Sequence, residues 1–162
     1  MTLKTLEDLL VHELQDLYDA EHQITKALPK MVDEATSSTL KTAFQNHLKE
    51  TEAQISRLED VFKAMGQKAE RKTCLAMQGL VKEANETIKE DMDSEVKDAA
   101  LIASAQRVEH YEIAGYGTAR TFAEVLGMDD VAKMLQQTLD EEAAADEKLT
   151  KAAKSINRKA TN

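Results

Sequence analysis

Apolar residues recur every three or four positions along almost the whole chain, which is the spacing of one face of an α-helix. The pattern predicts a first helix of about 30 residues that begins at Leu3, and a second helix over residues 39–65. Two more long helices are predicted, over residues 95–126 and 129–156. Because proline cannot donate a backbone hydrogen bond, we expect a kink or a break at Pro29 in the first helix.

A longer connection separates the second long helix from the third, over residues 66–94. Its apolar spacing predicts an extra short helix over residues 73–90. The short loops on either side of this connection indicate two antiparallel helical hairpins. The predicted fold is therefore all-α: a four-helix bundle over residues 1–157, with a long crossover that carries the extra helix, followed by a frayed basic tail at residues 158–162.

The chain is acidic, with a formal net charge of -9 at pH 7 and a pI near 5.0. This charge repels phosphate groups and anionic lipids, so we expect neither nucleic acid nor a membrane surface as a partner. The sequence lacks both the run of about 20 apolar residues that a membrane span requires and the layout of a signal peptide. Cys74 is the single cysteine, which excludes an internal disulfide and a cysteine-based metal cluster. We expect a cytoplasmic protein.

Four glutamates lie on or beside the apolar stripes, each near the midpoint of a different long helix: Glu21, Glu50, Glu109 and Glu142. Midpoints of helices of similar length share one height in a bundle, so we expect these carboxylates to converge. Buried carboxylates cost several kcal/mol each unless protons, basic groups or metal cations compensate them. The pattern therefore predicts a metal site at mid-bundle. For any one glutamate, a solvated position at the edge of the stripe is the alternative.

Other polar residues lie within a helical turn of these glutamates. Glu112, Gln54 and Asp146 are candidate ligands because each follows a site glutamate by three or four residues. His47 is a candidate ligand or a partner that orients a ligating carboxylate, and Tyr116 is a candidate for such a partner. A packed core position is the alternative for both. Oxygen ligands favour hard cations such as Fe(III) or Mn(II).

Four motifs, in this order, span nearly the whole chain: HLKETxxQ from His47, CxAMxGLxxEANE from Cys74, EHYEIAxYGT from Glu109, and LxEExxxDxKLT from Leu139. They resemble the YciE/YciF family of bacterial stress-response proteins, which belongs to the ferritin-like superfamily. The resemblance implies a ferritin-like bundle, a homodimer and a metal site between the helices. Many ferritin-like dimetal proteins use Glu-x-x-His on two helices. This chain departs from that rule, because Ala53 and Ala145 stand where the histidines would be.

Two hypotheses of function follow from the residues and the resemblance. In the first, the chain is a dimetal-carboxylate stress-response protein that holds two metal ions, iron or manganese. It then handles peroxide, oxygen or iron, and a small oxidant is its substrate if it is an oxidoreductase. In the second, it is a non-catalytic dimeric scaffold or interaction protein in which the metal is structural.

Overall fold

The computed structural model describes residues 3–161, which form five helices: α1 Leu6–Glu34, α2 Ser38–Ala64, α3 Leu75–Ile88, α4 Ser94–Val125 and α5 Asp129–Lys159. The four long helices make the bundle, and α3 lies in the connection between α2 and α4. The predicted all-α, ferritin-like four-helix bundle with a crossover helix is confirmed. No helix in the described part of the chain is long and apolar enough to cross a membrane.

Two helices differ from the sequence prediction in their details. α1 continues through Pro29, so the break that the proline suggested does not occur. Pro29 is exposed, whereas its neighbours Leu28 and Met31 are buried, so core packing holds the helix together on both sides of the proline. α5 extends to Lys159 instead of ending at Ile156. The positive charges of Arg158 and Lys159 in its last turn stabilise this extension, because they lie at the negative end of the helix dipole.

A buried carboxylate determines the direction of α4. Asp98, near the start of α4, accepts hydrogen bonds from the Thr36 and Ser37 amides at 2.7 and 2.8 Å and from the Thr36 hydroxyl at 2.6 Å. The start of α4 therefore lies against the loop that joins α1 to α2, and α4 runs antiparallel to α1. Each long helix packs against two others, in the cyclic order α1, α2, α5, α4, and α3 crosses the outside of α1 and α4.

The crossover is attached to α1 through a second buried aspartate. Asp19 accepts hydrogen bonds from the Cys74 amide at 2.8 Å and from the Arg71 guanidinium at 2.9 Å. Because Cys74 is the residue that precedes α3, these bonds fix the start of the crossover helix on the face of α1.

The apolar interior is divided into two parts. One part, here the Met31 core, includes Met31, Phe44, Leu101, Leu149 and Ile156. The other part, here the Phe62 core, includes Leu10, Leu58, Phe62, Ala123 and Leu135. Polar side chains occupy the buried level between them, and this level is where the candidate site lies.

Candidate metal centre

Four glutamates lie in the buried level between the two apolar cores: Glu21, Glu109, Glu112 and Glu142, here called the carboxylate layer. Each of these residues is at most 2% exposed. They come from α1, α4 and α5, and they take positions of the buried stripes at spacings of three and four residues. On α4, for example, the buried series runs 102, 105, 109, 112, 116 and 119. The same spacing that places leucine and isoleucine in the cores therefore places these carboxylates between them.

α2 contributes a histidine to the layer. His47 is 6% exposed, and ligand atoms of His47, Glu109, Glu112 and Glu142 all lie within 4.8 Å of one another. The Nε2 atom of His47 is 3.4 Å from Oε1 of Glu109. Three carboxylates and one imidazole from three helices thus surround a space of the size that a metal ion with its ligands occupies.

Glu21 joins the layer from α1. The Tyr116 hydroxyl donates a hydrogen bond to one of its oxygens. Tyr116 itself is fully buried at the boundary with the Phe62 core, so this hydroxyl holds the Glu21 carboxyl in one orientation.

An amide and an ion pair support the layer on the side where α2 meets α5. The Gln54 amide donates to Glu142 at 2.5 Å and to Glu141 at 3.1 Å. Glu141 in turn accepts hydrogen bonds from the Nη1 and Nη2 atoms of Arg57, each at 2.9 Å. Arg57 therefore pairs with Glu141, and its positive charge acts on the layer only from a distance, where it slightly opposes the rise in the pKa of Glu21.

The electrostatics of the layer oppose ionisation. Burial, followed by the charge of Glu142, raises the pKa of Glu21 to about 8, although the hydrogen bond from Tyr116 acts in the opposite direction. Burial and the neighbouring carboxyls also raise the pKa values of Glu109 and Glu112 well above the usual range of a glutamate. Without a cation, protons on these carboxyls are the compensation that this environment favours.

The predicted ligands Glu50 and Asp146 lie outside the layer. Glu50 is one-third exposed, 3.5 Å from the Lys148 ammonium and 3.9 Å from His47 Nδ1. Asp146 accepts a hydrogen bond from Gln106 at 2.9 Å and lies 3.3 Å from the ring of His110. In the structure His47 takes the inward position of α2 that the sequence analysis assigned to Glu50.

The helical spacing on α2 explains this difference. The buried stripe of α2 reads Phe44, His47, Thr51, Gln54 and Leu58, again at spacings of three and four residues. Glu50 lies one position before Thr51 and is rotated towards α5 by about a quarter of a turn. The spacing from Phe44 to Leu58 was the signal in the sequence that could have placed His47 in the layer.

Several buried polar atoms of the layer lack hydrogen-bond partners, and a bound cation would supply the missing interaction. At least one side-chain oxygen of each of its four carboxylates is buried without a hydrogen-bond partner, and so are both ring nitrogens of His47. Among residues 3–161, no lysine or arginine forms a hydrogen bond or an ion pair with these carboxylates. Buried polar atoms of folded proteins almost always have a partner. A metal ion would satisfy this donor set, which combines carboxylate oxygens with one imidazole nitrogen.

The fold and the layer together define an all-helical bundle with a buried carboxylate and histidine cluster between its long helices. The chain belongs to the family described as a domain of unknown function (DUF892), whose model matches residues 5–162. It is 49% identical over 164 residues to Protein YciF of Escherichia coli (strain K12), covering 100% of this chain and 99% of that protein. The resemblance to the YciE/YciF family is confirmed.

Solved structures agree with this assignment. The crystal structure of the E. coli stress protein YciF matches with a TM-score of 0.94 and 49% identity, over 97% of this chain and 99% of that chain. YcfI from Rhodopseudomonas palustris matches with a TM-score of 0.90 and 53% identity, over 91% and 94% of the two chains. A protein of Xanthomonas campestris pv. campestris, 20% identical over 94% of this chain and 93% of that chain, shares the fold with a TM-score of 0.75.

Proposed function

We propose that the chain is a dimetal-carboxylate stress protein, in which Glu21, Glu109, Glu112, Glu142 and His47 hold two metal ions, iron or manganese. The observation that carries the proposal is the set of buried carboxylate and imidazole atoms without hydrogen-bond partners. Such a pair of ions, when bound, would supply electrons for the reduction of peroxide or oxygen, and oxidation of iron(II) at the site would use one of these two oxidants as the electron acceptor. The homodimer and the small oxidant substrate stay predictions.

The residues around the layer have distinct tasks in this proposal. Gln54 orients the carboxylate of Glu142. Glu141 holds the guanidinium of Arg57 through two hydrogen bonds, so Arg57 forms no ion pair with Glu142 or Glu112. The Tyr116 hydroxyl keeps a proton beside Glu21, because burial and the surrounding carboxyls raise the pKa of this tyrosine well above its ordinary value. The two apolar cores lie on either side of the layer along the bundle.

Metal content tests the proposal. We expect about two iron or manganese ions per chain in protein purified without a chelator, on the stoichiometry of carboxylate-bridged sites. Glu142→Gln and Glu112→Gln keep the shape of the side chain and remove its charge, so we expect each variant to fold and to lose most of the metal. Glu52→Gln is the matched control, because Glu52 is exposed on α2 and lies outside the layer.

The outcomes separate the two hypotheses of function. Metal loss in the two layer variants, with full metal content in the control, supports the dimetal centre, and consumption of peroxide by the loaded protein is then the next assay. A well-folded wild-type protein that takes up no iron or manganese from metal-replete solution refutes the centre and favours the scaffold. We also expect Glu50→Gln to retain its metal, because Lys148 is the partner of Glu50 in the structure.

A further inference from the structure

A cavity of about 110 Å³ lies beside the carboxylate layer, on the side of the Met31 core. All five helices contribute to its wall. Most of that wall is apolar, with Ile24, Leu28, Phe44, Leu80 and Leu149 among its residues. On the same measure a single water needs about 10 to 15 Å³, so the space is large enough for a molecule of several atoms.

One end of the cavity is polar. His47 and Glu109, both members of the candidate centre, form part of its wall. Both ring nitrogens of His47 and the Oε2 atom of Glu109 are buried without a hydrogen-bond partner. In the metal-free chain these atoms require a ligand that can donate or accept a hydrogen bond, whereas the apolar residues of the wall pack against carbon. The wall also contains Asn46, Glu50, Asn85, Ser104 and Lys148, of which Glu50 pairs with Lys148 and Asn85 accepts a hydrogen bond from Lys30.

We propose that this cavity binds a small organic molecule of about four to six non-hydrogen atoms, apolar except for one hydroxyl-type group that lies against His47 and Glu109. The size follows from comparison with apolar cavities of about 150 Å³, which hold benzene. Binding itself requires no metal. Its consequence, that a compound of the alcohol or organic hydroperoxide class is presented to the centre in preference to hydrogen peroxide, rests on the proposed function.

The test uses 1-butanol and benzene as probes of the full-length chain after treatment with a chelator, so that it does not depend on the metal. Methyl signals in NMR spectra report where each probe binds. We expect saturable shifts at Ile24 and Leu28, which line the cavity, and none at Leu10 and Leu58, which belong to the Phe62 core. Absence of saturable shifts at Ile24 and Leu28 in the wild-type chain overturns the proposal without any variant.

Three substitutions examine the volume and the polar end. Ala105→Leu fills part of the cavity and weakens binding of both probes at least about ten-fold, since the added carbon atoms occupy the ligand's space. Ala114→Leu is the matched control on the exposed face of α4 and leaves binding unchanged. His47→Phe weakens the binding of 1-butanol about five-fold, which corresponds to the loss of one hydrogen bond, and leaves the binding of benzene unchanged.

Equal affinity of the wild type and Ala105→Leu shows that the probes bind elsewhere and refutes the cavity as their site. An equal loss of both probes in His47→Phe refutes the oriented polar end. Saturable binding in a chain that takes up no metal supports the cavity and refutes the dimetal centre, so the two proposals fail separately.

Discussion

Replacement of Glu21 by glutamine makes the metal-free protein more stable at alkaline pH and leaves it almost unchanged at acid pH. Burial and the Glu142 charge raise the pKa of Glu21 from 4.5 to about 8 in the folded chain. Between these two values the folded chain keeps a proton that the unfolded chain has released. Folding therefore takes up a proton, and the stability that this proton supports is lost as the pH rises from 4.5 to about 8.

The order of magnitude of the effect follows from the pKa of Glu21. Glu109 and Glu112, whose pKa values the charge of Glu21 also raises, add to it in the same direction. The rise from 4.5 to about 8 covers about 3.5 pH units, and each unit corresponds to about 1.4 kcal/mol. The wild-type chain should therefore lose up to about 5 kcal/mol of unfolding free energy over this range because of Glu21. Glutamine has no such proton equilibrium, and its side-chain oxygen can still accept the hydrogen bond from Tyr116.

The assay is urea unfolding of chelator-treated protein at intervals from pH 4.5 to pH 8.5. We expect the curves of wild type and Glu21→Gln to meet near pH 4.5 and to separate steadily above it, while Glu52→Gln follows the wild type. Addition of iron(II) under nitrogen or of manganese(II) at pH 8 should restore the wild type and help the variant less. If the unfolding free energies of wild type and Glu21→Gln change in parallel with pH, the conclusion that the buried layer holds protons in the absence of a cation is refuted.

Two further predictions concern the fold. Asp98→Ala removes three hydrogen bonds at the α1–α2 loop and should cost about 3 kcal/mol in urea unfolding, whereas Asp93→Ala, at an exposed cap without a side-chain bond, should cost less than about 0.5 kcal/mol. Gly115→Ala should cost about 1 to 3 kcal/mol, because the added Cβ would lie 2.7 Å from Cδ2 of the buried Leu17. Gly117→Ala meets its nearest neighbour only at 4.0 Å and should instead stabilise the helix by about 0.5 to 1 kcal/mol, so equal effects of the two glycine substitutions would contradict the packing described here.

The sequence predicted the helices and the height of the candidate site, because both depend on local spacing. Glu21, Glu109 and Glu142 were placed at mid-bundle by the apolar residues on either side of them, and the structure buries all three. Glu50 was selected for its residue type, and in the structure it lies one position before Thr51 of the buried stripe of α2, one-third exposed and beside Lys148. Counting by three and four from Phe44 reaches His47, which is the residue that the structure turns inwards.

Other parts of the site depend on how the helices meet and have no local signal. Arg57 and Glu141 are 84 residues apart, and their pairing requires the rotation and axial shift of α2 relative to α5. Asp19 likewise binds Arg71 and the Cys74 amide only because the crossover returns to α1. Such contacts arise from tertiary packing. The spacing of apolar residues within one helix carries no information about them.

Of the five described helices, the crossover helix α3 is the one that lines the cavity without contributing a carboxylate or the histidine of the candidate centre. It provides Leu80, Ala84 and Ile88 to the wall of the cavity, and it provides none of the residues of the carboxylate layer. Substitutions in this one short helix can therefore reshape the space beside the centre while the buried acids stay as they are. A protein engineer who wishes to change the shape of this cavity would begin with α3.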